Sequence, residues 1–445
     1  MKNFSLIHLL FLFWGTIGLG FHTMPAFAQD AEKMQELQRV IDAQQKQLEA
    51  QQKQLDAQRQ LLQGLQKQME SMVKDADTEK LPVAAENPAV KPEVASTKVP
   101  SSDKKIVTSG QERVKLAISG QVNRAVNIVD DGKDTEAYFV DNDNSESRVR
   151  FDGTARGTDD LTLGTRIELS IAPNKAGGVS QVDKESNNDF DQRITEAILD
   201  SKRFGKLSLG KGHTASYGSA TVDLSQTGVI SYAEISDTAG GMLFRQENDD
   251  ALTNVRILDA FQAFNGLSRK NRLRYDTPAF YGFRLAGSAI SDERYDAALY
   301  WGGQGYGFKA AAAAAFADPN QDNTDFQYDG SFSLLHEDTG LNLTLSAGLL
   351  DRDNQDDAQN FYGKLGWLTR FFSVGQTAFG VDYTRSLNLP TEDYDGYSVG
   401  AAAVQQFEEY GTEIYLLYRL HSLDRDVGPN VHDIGVGSIG TRVKF

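Results

Sequence analysis

The sequence predicts an all-β fold, a transmembrane antiparallel barrel of about sixteen strands, preceded by a periplasmic α-helical coiled coil. Three observations carry this reading. From Gln111 to Phe445, apolar and polar residues alternate in segment after segment, the period-2 signature of strands with two different faces. The connections between these segments alternate between short and long. Aromatic residues gather near segment ends, where amphipathic rings sit best at headgroup level. A mean hydropathy of -0.43 fits, because only every second residue of a membrane strand faces lipid.

The elements follow in chain order. Residues 1–28 read as a secretory signal: Lys2, an apolar stretch from Leu6 to Gly20, and Ala26-Phe27-Ala28 as a small-residue cleavage site. Residues 29–74 then repeat QQKQLEA, QQKQLDA and QRQLLQG. Ile41, Leu48, Leu55, Leu62 and Met69 fall at one core position of a 3.5-residue repeat, and Leu37, Leu65 and Met72 at the other, which they share with Gln44, Gln51 and Gln58. Such a seam predicts a parallel coiled coil about 65 Å long. Glutamine in the seam weakens it, and tethering to an oligomeric body supplies the missing stability through effective concentration. Residues 75–109, with Pro82, Pro88, Pro92 and Pro100, lose all periodicity and read as an extended linker.

The barrel is expected over 110–445. Leu341 to Leu349 shows the alternation best, with Leu341, Leu343, Leu345, Ala347 and Leu349 on one face and Asn342, Thr344, Ser346 and Gly348 on the other. Inner turns are expected at Gly153–Thr158, Lys202–Gly205, Asp276–Ala279, Gly302–Gln304, Glu337–Gly340, Arg370–Ser373 and Glu408–Gly411. Longer outer loops lie between them. Short turns on one side and longer, mostly acidic loops on the other is the outer-membrane arrangement. Ala310–Ala315 favours helix by propensity, yet Tyr306 and Phe308 before it and Asp318-Pro319 after it frame a strand. Arg124 sits on the apolar parity of the first strand, which predicts a bulge or a subunit contact there. The last strand sets Ile439, Val443 and Phe445 on one face and Arg442 and Lys444 on the other.

The connection from His213 to Ser268 is far longer than a turn requires, so it is expected to be functional. It is acidic, with Asp223, Glu234, Asp237, Glu247, Asp249, Asp250 and Asp259. The flanking strands place Arg148, Arg150, Arg166, Arg272, Arg274 and Arg284 on one parity. In a closed barrel these arginines form an inward ladder, and a loop folded inward sets its acids against them across the lumen. That arrangement narrows a pore and gives it a transverse field.

RFGKLSLG, followed at a distance by RKNRLRYDTPAFYGF, resembles the Gram-negative trimeric outer-membrane porin family through Arg269, Asn271, Tyr275, Thr277, Pro278, Phe280 and Gly282. The N-terminal coiled coil is similar to the dicarboxylate-porin (DcaP-like) subgroup. The loop lacks the Pro-Glu-Phe-Gly-Gly-Asp tip common in general porins. The resemblance implies a homotrimer, a location in the outer membrane with the N-terminal region in the periplasm, and a preference for anionic carboxylates. A terminal Phe closing an amphipathic strand is likewise similar to the signal read by outer-membrane assembly machinery.

Composition bounds the alternatives. The chain of 445 residues has no cysteine and a net charge of -17, which excludes disulfides and thiolate metal sites and argues against a nucleic-acid partner. His213, His336, His421 and His432 lack metal-ligand spacing, so neither a metal nor another cofactor is expected. The expected function is a water-filled channel for passive diffusion of small hydrophilic solutes, with outer-membrane lipid around it. A tether whose coiled coil binds the cell wall or a periplasmic protein is the first alternative. A barrel hydrolase using Ser216 and His213 is the second, but it lacks a Gly-x-Ser-x-Gly elbow, so an enzyme is not expected.

Overall fold

The structure is a computed structural model that describes residues 105–108, 114–186, 190–321 and 323–445. The signal, the coiled coil with its seam from Leu37 to Met72, and most of the linker lie outside the described residues. The strands are β1 (Lys105–Thr108), β2 (Val114–Asp130), β3 (Thr135–Asp141), β4 (Arg148–Arg156), β5 (Leu161–Ile171), β6 (Phe190–Ser201), β7 (Gly205–His213), β8 (Leu243–Arg245), β9 (Leu252–Arg256) and β10 (Arg269–Asp276). They continue with β11 (Phe283–Ile290), β12 (Tyr295–Gly305), β13 (Phe308–Asp318), β14 (Thr324–His336), β15 (Leu341–Arg352), β16 (Ala358–Phe372), β17 (Gly375–Leu387), β18 (Tyr394–Phe407), β19 (Thr412–Arg425) and β20 (Ile434–Lys444). No helix among the described residues is long and apolar enough to cross a membrane; the chain crosses with strands.

These strands make a closed barrel of sixteen antiparallel staves. Two of the twenty, β8 and β9, form a separate hairpin inside the long loop, and β1 pairs only with the start of β2. β3 and β4 share one stave, because both pair with β2 at different heights. Closure runs from Gln121↔Lys444 to Asp130↔Gly435 between β2 and β20. Below it, Gly120 and Phe445 exchange backbone hydrogen bonds of 2.8 and 3.0 Å. A sealed sheet leaves no backbone polar group facing hydrocarbon, the condition a membrane strand must meet.

The barrel wears its apolar residues outside. Val122, Ile167, Leu209, Leu345, Leu365 and Ile439 point outward and are exposed, whereas Asn123, Ser208, Thr344, Lys364, Ser398 and Ser438 on the opposite parity are buried. Exposed aromatics form two girdles. Phe204, Phe280, Tyr281, Tyr306, Phe372, Tyr410 and Phe445 lie by the short turns, and Phe139, Tyr295, Tyr328, Phe361, Tyr383 and Tyr418 ring the other side. Ala310–Ala315 is strand, as Ala311↔Ser333 and Ala313↔Ser331 fix it between its neighbours; tertiary pairing outweighs the helix preference of alanine.

Several details differ from the sequence reading, beginning with the inner turn expected at Gly153–Thr158, which falls at 157–160 because Gly153 to Arg156 continue β4 in pairing with β5. The inner turn expected at Gly302–Gln304 falls at Tyr306–Gly307, both with positive φ, the two-residue turn that matches strand twist; Gly302 and Gly303 stay paired with Ala311 and Ala310. The inner turn expected at Arg370–Ser373 falls after Phe372, which pairs with Gly375. The stave holding β3 and β4 is interrupted at 142–147, where the Asn142 side chain accepts from the Asn144 amide. That break accounts for Arg124: its guanidinium donates to the Pro173 carbonyl at 2.6 Å and lies 3.6 Å from Asp141, the last residue of β3.

Candidate functional site

The segment from Thr214 to Ser268 lies inside the barrel, held by side chains of inward parity. Ser288 accepts from the Ala215 amide (2.7 Å), Ser331 from Val222 (2.9 Å) and Ser333 from Leu224 (3.0 Å). Asp296 takes the Ser216 amide at 2.9 Å. These side chains satisfy backbone donors of the loop that would otherwise lie dry against the wall. The segment follows the wall from β11 to β17, then crosses to the break beside β3, where Asn142 donates to the Val229 carbonyl at 2.9 Å.

Past the crossing the loop makes an apolar core of its own. Ile230, Met242, Phe244, Ile257 and Phe261 are buried and pack with Val129 and Val140 of the first staves and with Tyr362, Leu417, Ile434 and Val436 of the later ones. Burial of side chains this size contributes roughly 1.5–3 kcal/mol each. Glycines on the wall receive the loop: a Cβ at Gly396 would meet the Phe261 ring at 2.9 Å, and one at Gly348 would meet Phe264 at 2.9 Å. The hairpin of β8 and β9 then rises to the outer loops. Leu243 and Gln181 exchange hydrogen bonds of 2.8 and 2.9 Å, Arg245 reaches Asp131 at 2.6 Å, and the Glu247 amide donates to the Asn430 carbonyl at 2.9 Å.

The loop core leaves the side from β20 through β2 to β11 to charged residues. Glu168 is shared by Arg148 (3.9 Å), Arg150 and Arg193 (2.7 Å), and Glu146 by Lys175 (2.9 Å) and Arg193. Asp276 is shared by Arg274 (2.7 Å), Arg284 and Lys206 (4.0 Å), and Glu413 by Arg442 and Lys444. Nine cations thus share four carboxylates. A wall with that surplus is positive whatever local pairing it contains.

The profile of the Gram-negative porin family matches residues 101–419. The chain belongs to the Gram-negative porins. Among solved structures, the anion-selective porin from Comamonas acidovorans superposes with a TM-score of 0.52 at 15% identity, over 75% of this chain and 100% of that one. OmpT, an outer membrane protein of Vibrio cholerae, gives 0.51 at 14% identity, over 77% and 100%. The outer membrane channel DcaP of Acinetobacter baumannii gives 0.49 at 10% identity, over 76% and 99%. No match was found among curated proteins. Family and fold make this porin an outer-membrane channel for solute diffusion.

The porin separates the predicted arginines into two groups. Arg148, Arg150, Arg166 and Arg284 keep 22, 31, 34 and 25% of their side chains exposed, whereas Arg272 and Arg274 keep 2 and 10%. The last two brace the root of the loop: Arg272 donates to the carbonyls of His213 (2.9 Å) and Gly210 (3.1 Å), and Arg274 to that of Thr214 (2.6 Å).

The predicted acids also divide. Glu234 and Asp237 sit at the crossing, where Tyr232 donates to Asp237 and the charges of Arg193 and Arg269 are felt. Burial raises the pKa of both, to about 8 for Glu234 and about 6 for Asp237. The negative charge of Asp237 pushes Glu234 further up. Asp223 faces the opposite wall, 2.5 Å from Lys364. Glu247, Asp249 and Asp250 belong to the hairpin by the outer loops, where Asp250 lies 3.7 Å from both Lys133 and His432. These three are therefore at the outer mouth, apart from the arginines.

Several residues escape the sequence reading. Arg193 is the extra residue of a bulge in β6 opposite Glu168 and Leu169, so alternation does not place it. Arg269 donates to the Tyr217 hydroxyl at 3.1 Å and lies over its ring at 5.4 Å. Arg442 and Lys444 had been visible as the polar face of the last strand, yet only closure against β2 brings Arg442 to the Ser145 hydroxyl at 2.6 Å.

Proposed function

We propose that the channel favours small anions, carboxylates in particular, and that the wet arginines Arg148, Arg150, Arg166 and Arg284 carry the preference. The observation behind this reading is the surplus of nine cations over four carboxylates on one wall. Guanidinium suits carboxylates because its planar fork binds two oxygens and its charge does not titrate away. Glu168 and Asp276, each shared among three cations, leave charge for the solute at Arg148, Arg150 and Arg284, at a strength that permits release, and Arg166 adds a wet guanidinium paired with Asp152 at 2.7 Å. The fold is compatible with such a preference, since the Comamonas acidovorans protein is an anion-selective porin. Asp237, near Arg193, supplies the opposing side of the field, and Glu234 joins it only at alkaline pH, since burial raises its pKa to about 8.

The test is the reversal potential of single channels under a salt gradient. Replacing Arg148 and Arg150 together by glutamine is expected to move it toward cations; an unchanged value removes them from the ion path.

The homotrimer belongs to the same proposal. The outward faces of β4–β7 set the small Ala155, Thr165, Thr195 and Ala197 among Leu163, Ile167, Leu199 and Leu209 and carry no Trp or Tyr, as suits a face against protein rather than at a lipid headgroup boundary. The number three and the periplasmic coiled coil come from the resemblance and the seam at 29–74. Catalysis is not part of the reading: Ser216 is buried, donates its hydroxyl to Asp296 and accepts from the Leu267 amide at 3.1 Å, so it is committed to holding the loop.

A further inference from the structure

We propose that Lys364 is the positioning residue that sets the width of this pore, acting as a buried ammonium that nails the long loop to the wall. Lys364 is on β16, facing inward, and its side chain is 0% exposed. An ammonium has three donors and no acceptor. All three go to the loop: to Asp223 at 2.5 Å, to the Thr227 hydroxyl at 2.8 Å and to the Ser231 carbonyl at 3.0 Å. These acceptors span the stretch where the loop stops following the wall and turns across the lumen toward Asn142.

The surrounding wall is shaped for this contact. Gly380 on β17 makes room, since a Cβ there would meet Lys364 Cδ at 3.3 Å and Thr227 Cγ2 at 3.5 Å. Ser231, whose carbonyl Lys364 holds, also donates its hydroxyl to Asp382 at 2.7 Å, and Asp382 is neutralised by Arg419 at 2.7 Å. Lys364 thus finds its carboxylate on the loop, whereas Arg419 finds its own on the barrel, reaching across β18 to Asp382 of β17. The difference matters because a buried ion deprived of its partner is expensive to keep dry. With Lys364 present, docking of the loop and neutralisation of the ammonium are one event. With either member removed, the remaining charge is hydrated only if the loop lifts.

The experiment is a charge-pair cycle on the full-length protein in planar bilayers, reading single-channel conductance, reversal potential and the solute size passed in liposome swelling. Lys364→Met and Asp223→Asn, taken singly, are each expected to raise conductance severalfold, admit larger sugars and weaken ion selectivity. The double variant, with no charge left at the contact, is expected to return close to the wild-type values, because the apolar core of the loop still docks. Asp223→Asn alters the loop and no barrel strand, so it keeps the test usable if Lys364→Met fails to assemble. Folding is checked by resistance of the barrel to detergent without heating. Single variants that conduct like wild type overturn the proposal, and so does a double variant as wide as the singles. The inference rests on the open-channel reading, and the two fail separately: a wild-type protein that conducts nothing refutes that reading, while wild-type conductance without the cycle refutes only the role of Lys364.

Discussion

Lys364 and Arg419, on β16 and β19, expose 0 and 1% of their side chains and each has a single carboxylate, at 2.5 and 2.7 Å. Arg150 and Arg166, on β4 and β5, expose 31 and 34%; Arg150 shares Glu168 with two other arginines, and Arg166 has Asp152 at 2.7 Å, itself partly exposed. The first side of the barrel is filled by the loop, dry, and matched charge for charge at these contacts. The second is wet and carries a surplus of cations. Charge inside a barrel can therefore serve two purposes, and exposure together with pairing ratio tells them apart. A dry matched pair fixes structure, because losing one partner strands the other. A wet shared pair leaves field available to solutes, because water already screens what each residue does for stability.

The largest expected effect lies in the dry half. Arg419→Met strands Asp382, which is 0% exposed, and is expected to destabilise the barrel by about 3–5 kcal/mol, seen as a lower unfolding temperature in detergent. The matched change in the wet half, Arg166→Gln, is expected to cost no more than about 1 kcal/mol while moving the reversal potential toward cations. Equal losses of stability from the two changes would break the distinction. An unchanged reversal potential for Arg166→Gln would confine the selective region to Arg148, Arg150 and Arg284.

How much of this was legible follows the range of each interaction. The alternation in Leu341–Leu349 is local and is demanded by hydrocarbon on one face, so the strand and its parity can be read directly. Turn chemistry is local too, and the polar run Asp141-Asn142-Asp143-Asn144-Ser145 could have announced the break between β3 and β4. Arg193 could not be placed, because a bulge shifts parity by one residue without leaving a compositional mark. Ser288, Ser331 and Ser333 read as inward residues, but nothing near them in sequence says that loop amides will meet them. The same holds for Asp223, whose partner lies 141 positions away, and for Glu247, Asp249 and Asp250, which the hairpin carries to the outer mouth.

The smallest effect expected is a dependence of selectivity on pH, set in the crossing between the two halves. Burial lifts Glu234 to about 8 and Asp237 to about 6, and the Tyr232 hydroxyl with Arg269 and Arg193 draws Asp237 partly back. For a carboxyl raised above its unfolded value, the protonated form is the one the folded protein favours. Its contribution to stability is full below the unfolded pKa and is lost as pH rises through the folded one. At pH 9 both groups therefore carry charge opposite the arginines, and between about 8 and 6 the protein sheds that charge in two coupled steps. Removing negative charge from a pore whose other wall is positive weakens the transverse field but makes the lumen potential more positive, which favours anions. Anion preference is accordingly expected to rise as pH falls from 9 to 5, read as a progressive shift of reversal potential under a fixed salt gradient. Glu234→Gln with Asp237→Asn should hold the low-pH value throughout. A wild-type reversal potential equal at pH 5 and pH 9 would place the pair outside the ion path and leave the arginine wall as the whole of the filter.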